Sequence, residues 1–232
     1  MKQNSTQIPT KSALLFKVLI SFTLFLVFYG SLLLIPAGSL SYWNAWLMLG
    51  CMLVLMFPLG IYLYITNPAL LEKRFTFREK ERKEKRRLKF SIPVVMIAFI
   101  IPGLDYRFHW SHVPLWCVIL GLIMLFAGYI VLILVMKQNS YASRVIEIQA
   151  GQKLIDTGLY SIIRHPLYLG SLIVYGGMPL LLGSWYMFIP IAFFPIILYF
   201  RIKNEERILT EGLPGYREYT RRVKYRLIPG IW

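Results

Sequence analysis

Residues 114–136 read PLWCVILGLIMLFAGYIVLILVM, a run of 23 residues without a charged side chain. A helix needs about 20 consecutive apolar residues to cross the hydrocarbon core of a bilayer. Backbone polar groups inside that core must bond to one another, which a helix achieves within a single segment. This stretch therefore predicts a membrane-spanning helix.

Five further apolar blocks lie on either side of this run. Two of them match it in length, one is shorter, and the last two have 16 residues each with Gly183 and Ser184 between them. Because 16 residues fall short of a full span, we expect the last two blocks to form a hairpin that tilts or stops short. The sequence thus predicts an all-α, polytopic membrane protein with six segments. The five blocks are 13–35, 43–65, 90–104, 167–182 and 185–200.

The composition of the 232 residues agrees with this interpretation, since 57% are hydrophobic and 16% are charged. Soluble chains average roughly 45–50% apolar and about 25% charged residues. An apolar excess excludes a disordered chain, and two cysteines, both inside apolar blocks, exclude a disulfide scaffold. The first block is too long for the apolar core of a secretory signal peptide. No motif in the sequence predicts a metal site.

The basic residues indicate an orientation for these spans. The chain contains 26 Lys and Arg residues, and 25 of them fall in alternate connecting segments, with both termini in that set. Only Arg107 falls in the remaining segments. Because basic loops stay in the cytoplasm, both termini are predicted to be cytoplasmic. The membrane would be the plasma membrane of a bacterium or the endoplasmic reticulum of a eukaryote.

A basic run at 73–89, KRFTFREKERKEKRRLK, is compatible with nucleic-acid binding by charge alone. Four glutamates lie in or beside the run, however, and it connects two predicted spans. We interpret it as a helical cytoplasmic extension near anionic lipid headgroups. No nucleic-acid partner is expected.

Two longer segments, 137–166 and 201–232, flank the predicted hairpin on its cytoplasmic side. The three connections predicted to face outward have only about 7, 9 and 2 residues, which leaves no room for an external domain. The hairpin would hold the two longer segments side by side. The sequence therefore predicts a functional site at the cytoplasmic membrane face, built from both segments.

The entry to the hairpin, GLYSIIRHPLYLG at 158–170, groups charged, aromatic and helix-breaking residues. Thr157 is expected to cap a helix that begins near Leu159. Pro166 is expected in the first turns of that helix, where proline is tolerated. Gly170 removes a side chain at membrane depth, which allows another backbone or a ligand to approach.

The second segment begins with Arg201, Glu205 and Glu206. A spacing of four residues allows Arg201 and Glu205 to share one helical face. A guanidinium and a carboxylate at the mouth of a membrane cavity suit a zwitterionic cofactor and an anionic substrate. The alternative interpretation is a solvated helix start with surface ion pairs.

Residues 151–170, GQKLIDTGLYSIIRHPLYLG, resemble the signature of the isoprenylcysteine carboxyl methyltransferase family, and phospholipid N-methyltransferases carry a similar segment. The resemblance covers roughly residues 105–229. It continues through the motifs EERIL at 205–209, GYREY at 215–219 and LIP at 227–229.

The resemblance implies a membrane enzyme that uses S-adenosyl-L-methionine, with residues 113–232 as the methyltransferase core and 1–112 as additional spans. By position, Glu205 would hold the polar end of the cofactor. Arg201 and Arg164 would be catalytic, with Arg201 pairing with a carboxylate of the methyl acceptor. The other cofactor-binding residues would be Gln152, Lys153, Leu154, Ile155, Tyr160, His165, Pro166, Leu167 and Tyr168.

Carboxyl O-methylation of a lipophilic, isoprenylcysteine-like acceptor that reaches the site from the bilayer is favoured, because Arg201 suits an anionic acceptor. An ionised carboxylate also needs no base. An amine acceptor must lose a proton, and His165 or Glu206 would be the candidate base. Phospholipid N-methylation and small-thiol S-methylation are alternatives within the same superfamily. A non-catalytic membrane protein or small transporter is a further alternative, opposed by the nearly uncharged spans. The oligomeric state is not predicted.

Overall fold

The computed structural model describes residues 11–75, 82–142, 145–146, 148–149 and 151–232, and within these ranges it contains helices and no strand. Four of the helices are long and apolar enough to cross a bilayer. The all-helical, membrane-spanning class predicted from the sequence is confirmed at this level. The helices are α1 (Lys11–Ala37), α2 (Trp43–Thr66), α3 (Pro68–Phe75), α4 (Arg82–Phe108), α5 (Leu115–Gln138), α6 (Pro166–Leu181), α7 (Phe188–Ile191), α8 (Phe194–Gly212) and α9 (Tyr216–Arg222).

The predicted final hairpin differs from two regular helices. The helix α6 is apolar but has only 16 residues, which is about 24 Å of helix. The block 185–200 is not one helix, since α7 ends at Ile191 and α8 starts at Phe194. Pro195, in the first turn of α8, has no backbone N–H and so cannot continue the series of helical hydrogen bonds from α7. The four long helices fit an integral membrane protein, and the count of six spans stays a prediction.

A buried polar network joins three connecting segments at one end of the bundle. Asp105, near the end of α4, is 2% exposed. It accepts hydrogen bonds from the Ser184 hydroxyl and from the Ser111 hydroxyl and backbone N–H, the latter two at 2.7 Å. The Tyr42 hydroxyl donates to the carbonyl oxygen of Leu182. The three short connections that were predicted to face one side of the membrane therefore meet at one end of the fold.

The segments with the candidate site lie at the opposite end. Lys17 of α1 pairs with Glu72 of α3, with Nζ and Oε1 2.6 Å apart. Arg74 of α3 donates from a terminal guanidinium nitrogen to the carbonyl oxygen of Ala142 at 3.0 Å. The short helix α3 thus connects the first two spans to the segment that follows α5.

Helices α5 and α6 pack closely along two pairs of glycines, Gly121 with Gly177 and Gly128 with Gly170. A Cβ built at Gly128 would lie 2.7 Å from the carbonyl oxygen of Gly170, and one built at Gly121 would lie 2.7 Å from that of Gly177. Small residues allow such backbone contact between membrane helices, where hydrophobic burial no longer drives association. The prediction that Gly170 permits close approach is confirmed, and the approaching group is the backbone of α5.

We expect Gly128→Ala to destabilise the protein by about 1–3 kcal/mol, because the added methyl group overpacks a full interface. The measurement is the thermal unfolding midpoint in detergent. Gly50→Ala on α2 is a matched control, since a Cβ built there meets nothing within 4 Å. Equal midpoints for Gly128→Ala and the control would show that the α5–α6 contact has no energetic role.

Candidate functional site

The chain between α5 and α6 is held against the end of α5 by two amide side chains. The Gln138 side-chain oxygen accepts the backbone N–H of Leu159 at 3.1 Å, and the Asn139 amide donates to the Tyr160 hydroxyl at 2.9 Å. The predicted helix start near Leu159 is wrong. Only one turn of 3₁₀ helix forms at Gly158–Ser161, and Thr157 makes no capping hydrogen bond.

The helix α6 begins instead at Pro166, with His165 as the residue before it. Pro166 therefore lies in the first turn of the helix, as predicted. A backbone N–H at this position would have no partner within the helix, so its absence in proline costs no hydrogen bond. The backbone N–H groups of Arg164 and His165 donate to the carbonyl oxygens of Tyr225 and Arg226 at 3.0 and 2.9 Å. The C-terminal segment therefore fixes the backbone just before the membrane helix.

A cavity lies between this segment, α8 and α9, and the space free of protein atoms within it, including the part open to solvent, is about 890 Å³. Eleven of the twelve site residues predicted from the sequence line it, and Pro166 is the exception. The structure thus brings together residues that are far apart in the chain. The eleven are Gln152, Lys153, Leu154, Ile155, Tyr160, Arg164, His165, Leu167, Tyr168, Arg201 and Glu205.

The Tyr168 hydroxyl links Arg201 and Glu205, two of the charged residues of α8. It accepts a hydrogen bond from Arg201 Nε at 2.9 Å and donates one to Glu205 Oε2 at 2.6 Å. Both charged side chains therefore reach the same point from one side of α8, as their spacing of four residues predicts. The ring of His165 stacks on that of Tyr168 with centroids 5.7 Å apart.

Glu206 accepts contacts from three neighbouring nitrogen-bearing side chains, those of Arg226, His165 and Arg164. Arg226 Nε donates to its Oε2 at 2.7 Å, His165 Nε2 donates to Oε1 at 3.4 Å, and Arg164 Nε lies 3.1 Å from Oε1. Burial disfavours the charged form of Glu206, but the bonds from His165 and Arg226 and the charge of Arg164 outweigh it, so the pKa of Glu206 falls to about 2. A carboxylate with that pKa is a weak proton acceptor at neutral pH. Glu206 is therefore a poor candidate for a catalytic base.

Tyr216 is a cavity residue to which the sequence analysis assigned no role. Its side chain is 3% exposed, and its hydroxyl has no hydrogen-bond partner among the described residues. Burial raises the pKa of this hydroxyl, which keeps it a donor at neutral pH. The neighbouring Tyr219 differs, since its hydroxyl donates to the carbonyl oxygen of Tyr160 at 2.8 Å. The signal in the sequence was the pair of tyrosines three residues apart, which places both on one side of α9.

A second cavity, on the membrane side of the first, is lined mainly by apolar side chains of α4, α6, α7 and α8. It shares Leu167, Tyr168 and Arg201 with the first cavity, so the two cavities adjoin at these three residues. Its other lining residues are Arg74, Ser91, Val94, Val95, Ala98, Phe99, Ser171, Tyr175, Pro190, Ile191, Phe194, Ile197 and Leu198.

Comparison with known proteins finds similarity to a protein family and to curated proteins. The sequence profile of the phospholipid methyltransferase family matches residues 116–214, from α5 to the end of α8. The Delta(14)-sterol reductase TM7SF2 of Mus musculus is 29% identical over 85 residues, or 35% of this chain. That similarity spans 20% of the length of the reductase. The profile match includes the 158–170 segment and the acidic residues Glu205, Glu206 and Glu211 of α8.

Proposed function

We propose that this protein is an integral membrane methyltransferase that uses S-adenosyl-L-methionine and acts on a lipophilic acceptor. The observation that carries the proposal is the Tyr168 hydroxyl, bonded to Glu205 and Arg201 where the polar and apolar cavities meet. A group transferred at this point would pass from a polar site to a bilayer-facing one. The match of residues 116–214 to the phospholipid methyltransferase family supports the same reaction class.

The first cavity has the donors and acceptors that S-adenosyl-L-methionine requires. The cofactor combines a zwitterionic amino acid, a sulfonium cation and an adenosine. Glu205 offers a carboxylate to a cationic or hydroxyl group. The Tyr216 hydroxyl, which has no hydrogen-bond partner within the described part of the chain, offers a donor. Leu154, Leu209 and Leu213 supply apolar wall for a flat ring system. The residues present therefore fit this cofactor.

When bound, the cofactor supplies a methyl group attached to a positively charged sulfur. The chain itself contributes placement, since the two cavities would hold donor and acceptor on either side of Tyr168. The aromatic faces of Tyr160 and Tyr168 would stabilise a nearby cation. Arg201 would hold an acceptor carboxylate by charge-assisted hydrogen bonds.

Carboxyl O-methylation of an isoprenylcysteine-like acceptor is the form of the reaction that we favour. Such a carboxylate needs no base, and Glu206, with a pKa of about 2, provides a poor one. The apolar second cavity suits an isoprenoid chain. Phospholipid N-methylation is the second candidate, and the name of the matching family supports it.

Label transfer distinguishes these acceptors. Purified protein is incubated with methyl-labelled S-adenosyl-L-methionine and native membranes, and the lipid-soluble label is then treated with base. A carboxyl methyl ester releases the label as methanol, whereas an N-methylated headgroup keeps it. If the lipid-soluble label stays non-volatile after treatment with base, whichever phase it then enters, the carboxyl O-methylation proposal is overturned.

We expect Tyr216→Phe to weaken binding of S-adenosyl-L-methionine about 2–10-fold, because one hydrogen bond to the ligand contributes roughly 0.5–1.5 kcal/mol. The measurement is the Kd from calorimetric titration. Tyr225→Phe is the control, since its side chain is 41% exposed and the residue does not line the cavity. Unchanged affinity in folded Tyr216→Phe would remove Tyr216 from the cofactor site.

A further inference from the structure

Residues 223–232, the C-terminal segment, follow α9 and connect the entry of α6 to the helix α8. Two carbonyl oxygens of the segment accept backbone N–H groups from the entry of α6. Leu227 is 5% exposed and packs in an apolar cluster with Tyr168 of α6 and with buried residues of α8. The segment lies outside the region that matches the family profile, which ends at residue 214. It nevertheless contacts both elements that carry the candidate site.

The C-terminal segment closes on itself around Trp232. Three consecutive backbone N–H groups, at residues 226–228, donate to the main-chain oxygen of Trp232 at 3.0, 2.9 and 3.1 Å. The Trp232 ring stacks on that of Tyr199 of α8, with centroids 5.2 Å apart. The guanidinium carbon of Arg226 lies 5.5 Å from the centroid of the Trp232 ring. The Arg226 backbone is therefore fixed by Trp232 on one side and by the entry of α6 on the other, and its side chain is held against α8.

The Arg226 side chain ends at Glu206 of α8. Its Nε donates to Oε2 of Glu206 at 2.7 Å. The other oxygen, Oε1, lies 3.4 Å from His165 Nε2 and 3.1 Å from Arg164 Nε. His165 and Arg164 line the first cavity, whereas Glu206 and Arg226 do not. One carboxylate behind the cavity wall thus joins the C-terminal segment to two side chains within that wall.

Loss of the Arg226 guanidinium would remove the hydrogen bond that Oε2 of Glu206 accepts. The Glu206 side chain is only 12% exposed, so water replaces that bond poorly, and the carboxylate would turn toward its remaining nitrogen-bearing neighbours. Such a turn moves the acceptor that His165 faces. Because the His165 ring stacks on Tyr168, whose hydroxyl donates to Glu205, the displacement would reach the polar contacts of the proposed cofactor site.

We propose that Arg226 is a positioning residue, which acts through Glu206 to fix His165 and Arg164 in the wall of the first cavity. The identity of the ligand in that cavity as S-adenosyl-L-methionine rests on the proposed function. The placement of the wall by Arg226 needs no ligand, so it can be measured without one.

The test compares Arg226→Gln in two backgrounds, wild type and Glu206→Gln, on full-length protein in detergent. One measurement is hydrogen–deuterium exchange of peptides that cover residues 162–170, without ligand. The other is the Kd of S-adenosyl-L-methionine from calorimetric titration. Arg222→Gln is the matched control, because the Arg222 side chain is 64% exposed and pairs with Asp156 at 2.6 Å, away from Glu206. The unfolding midpoint of each variant shows whether the fold is intact.

We expect Arg226→Gln to accelerate exchange of residues 162–170 and to weaken cofactor binding, each by about threefold to tenfold, the range that one hydrogen bond contributes. Arg226→Lys should recover part of both effects, since it keeps the charge and loses the planar guanidinium. In the Glu206→Gln background, Arg226→Gln should add less than about twofold to either effect. Arg222→Gln should match wild type.

A packing role for the C-terminal segment makes a different prediction. In that case Arg226→Gln has the same effect in both backgrounds, and Arg226→Lys recovers nothing, which would overturn the inference. Wild-type exchange and affinity in folded Arg226→Gln would overturn it too, as would faster exchange at an unchanged cofactor Kd. If Arg226→Gln does not fold, Arg226→Lys is compared in the two backgrounds instead.

Failure of the proposed function gives a separate result. If wild type does not bind S-adenosyl-L-methionine and exchange of residues 162–170 still depends on Arg226 through Glu206, the proposed function fails and the positioning role stands. If the cofactor binds and Arg226 affects neither measurement, the positioning role fails and the proposed function stands.

Discussion

Glu205→Gln is expected to weaken binding of S-adenosyl-L-methionine by about tenfold or more. In the wild type, the Tyr168 hydroxyl donates a hydrogen bond to Glu205 Oε2 at 2.6 Å. The substitution keeps the size of the side chain and leaves an amide oxygen that can still accept this bond. It removes the negative charge that would face a cationic or hydroxyl group of the cofactor, and charge-assisted hydrogen bonds contribute roughly 1.5–3 kcal/mol. The measurement is the Kd from calorimetric titration.

Glu211→Gln on the same helix is the matched control, because the Glu211 side chain is 62% exposed. The unfolding midpoint of both variants shows whether the fold is intact. A Glu205→Gln variant that is folded and binds the cofactor as wild type does would remove Glu205 from the cofactor site.

Arg201→Ala is expected to lower methyl transfer by about 100-fold, while the cofactor Kd changes less than about threefold. The guanidinium lines both cavities, and Nε donates to the Tyr168 hydroxyl at 2.9 Å. Loss of the charged group that would hold the acceptor removes roughly 1.5–3 kcal/mol of acceptor binding free energy. Misplacement of the acceptor raises the activation barrier further. Activity with native membranes and cofactor titration measure the two effects separately.

Lys203→Ala is the control for Arg201→Ala, since it removes an exposed cation from the same helix two residues away. Its activity should stay close to wild type. An equal loss of cofactor affinity in Glu205→Gln and Arg201→Ala would contradict the division of roles between the two residues.

The long apolar runs made most of the bundle predictable from the sequence. Helices α1, α2 and α5 coincide with uncharged or nearly uncharged blocks, because lipid requires a continuous apolar helix. The helical interpretation of the basic run is confirmed for residues 82–89, which open α4, while its residues 76–81 lie outside the described part of the chain. The break between α7 and α8 was missed, because an average of hydropathy over the block does not register Pro195 in the first turn of α8.

The candidate site was predictable where short-range spacing determines the geometry. Arg201 and Glu205 meet at one hydroxyl because they are four residues apart on a helix. The partners of Glu206 and the position of Arg74 depend on contacts across 20 to 68 residues, which no local pattern encodes. The lack of a hydrogen-bond partner for the Tyr216 hydroxyl among the described residues also depends on the surrounding cavity wall, which the sequence does not reveal.

Binding of S-adenosyl-L-methionine to the purified full-length protein tests the central claim most directly. Calorimetric titration of folded wild type in detergent or nanodiscs is predicted to show saturable binding at one site per chain, with weaker binding in Glu205→Gln. Folded wild-type protein that shows no binding would contradict the methyltransferase proposal and leave a non-catalytic membrane protein or a transporter as the better interpretation.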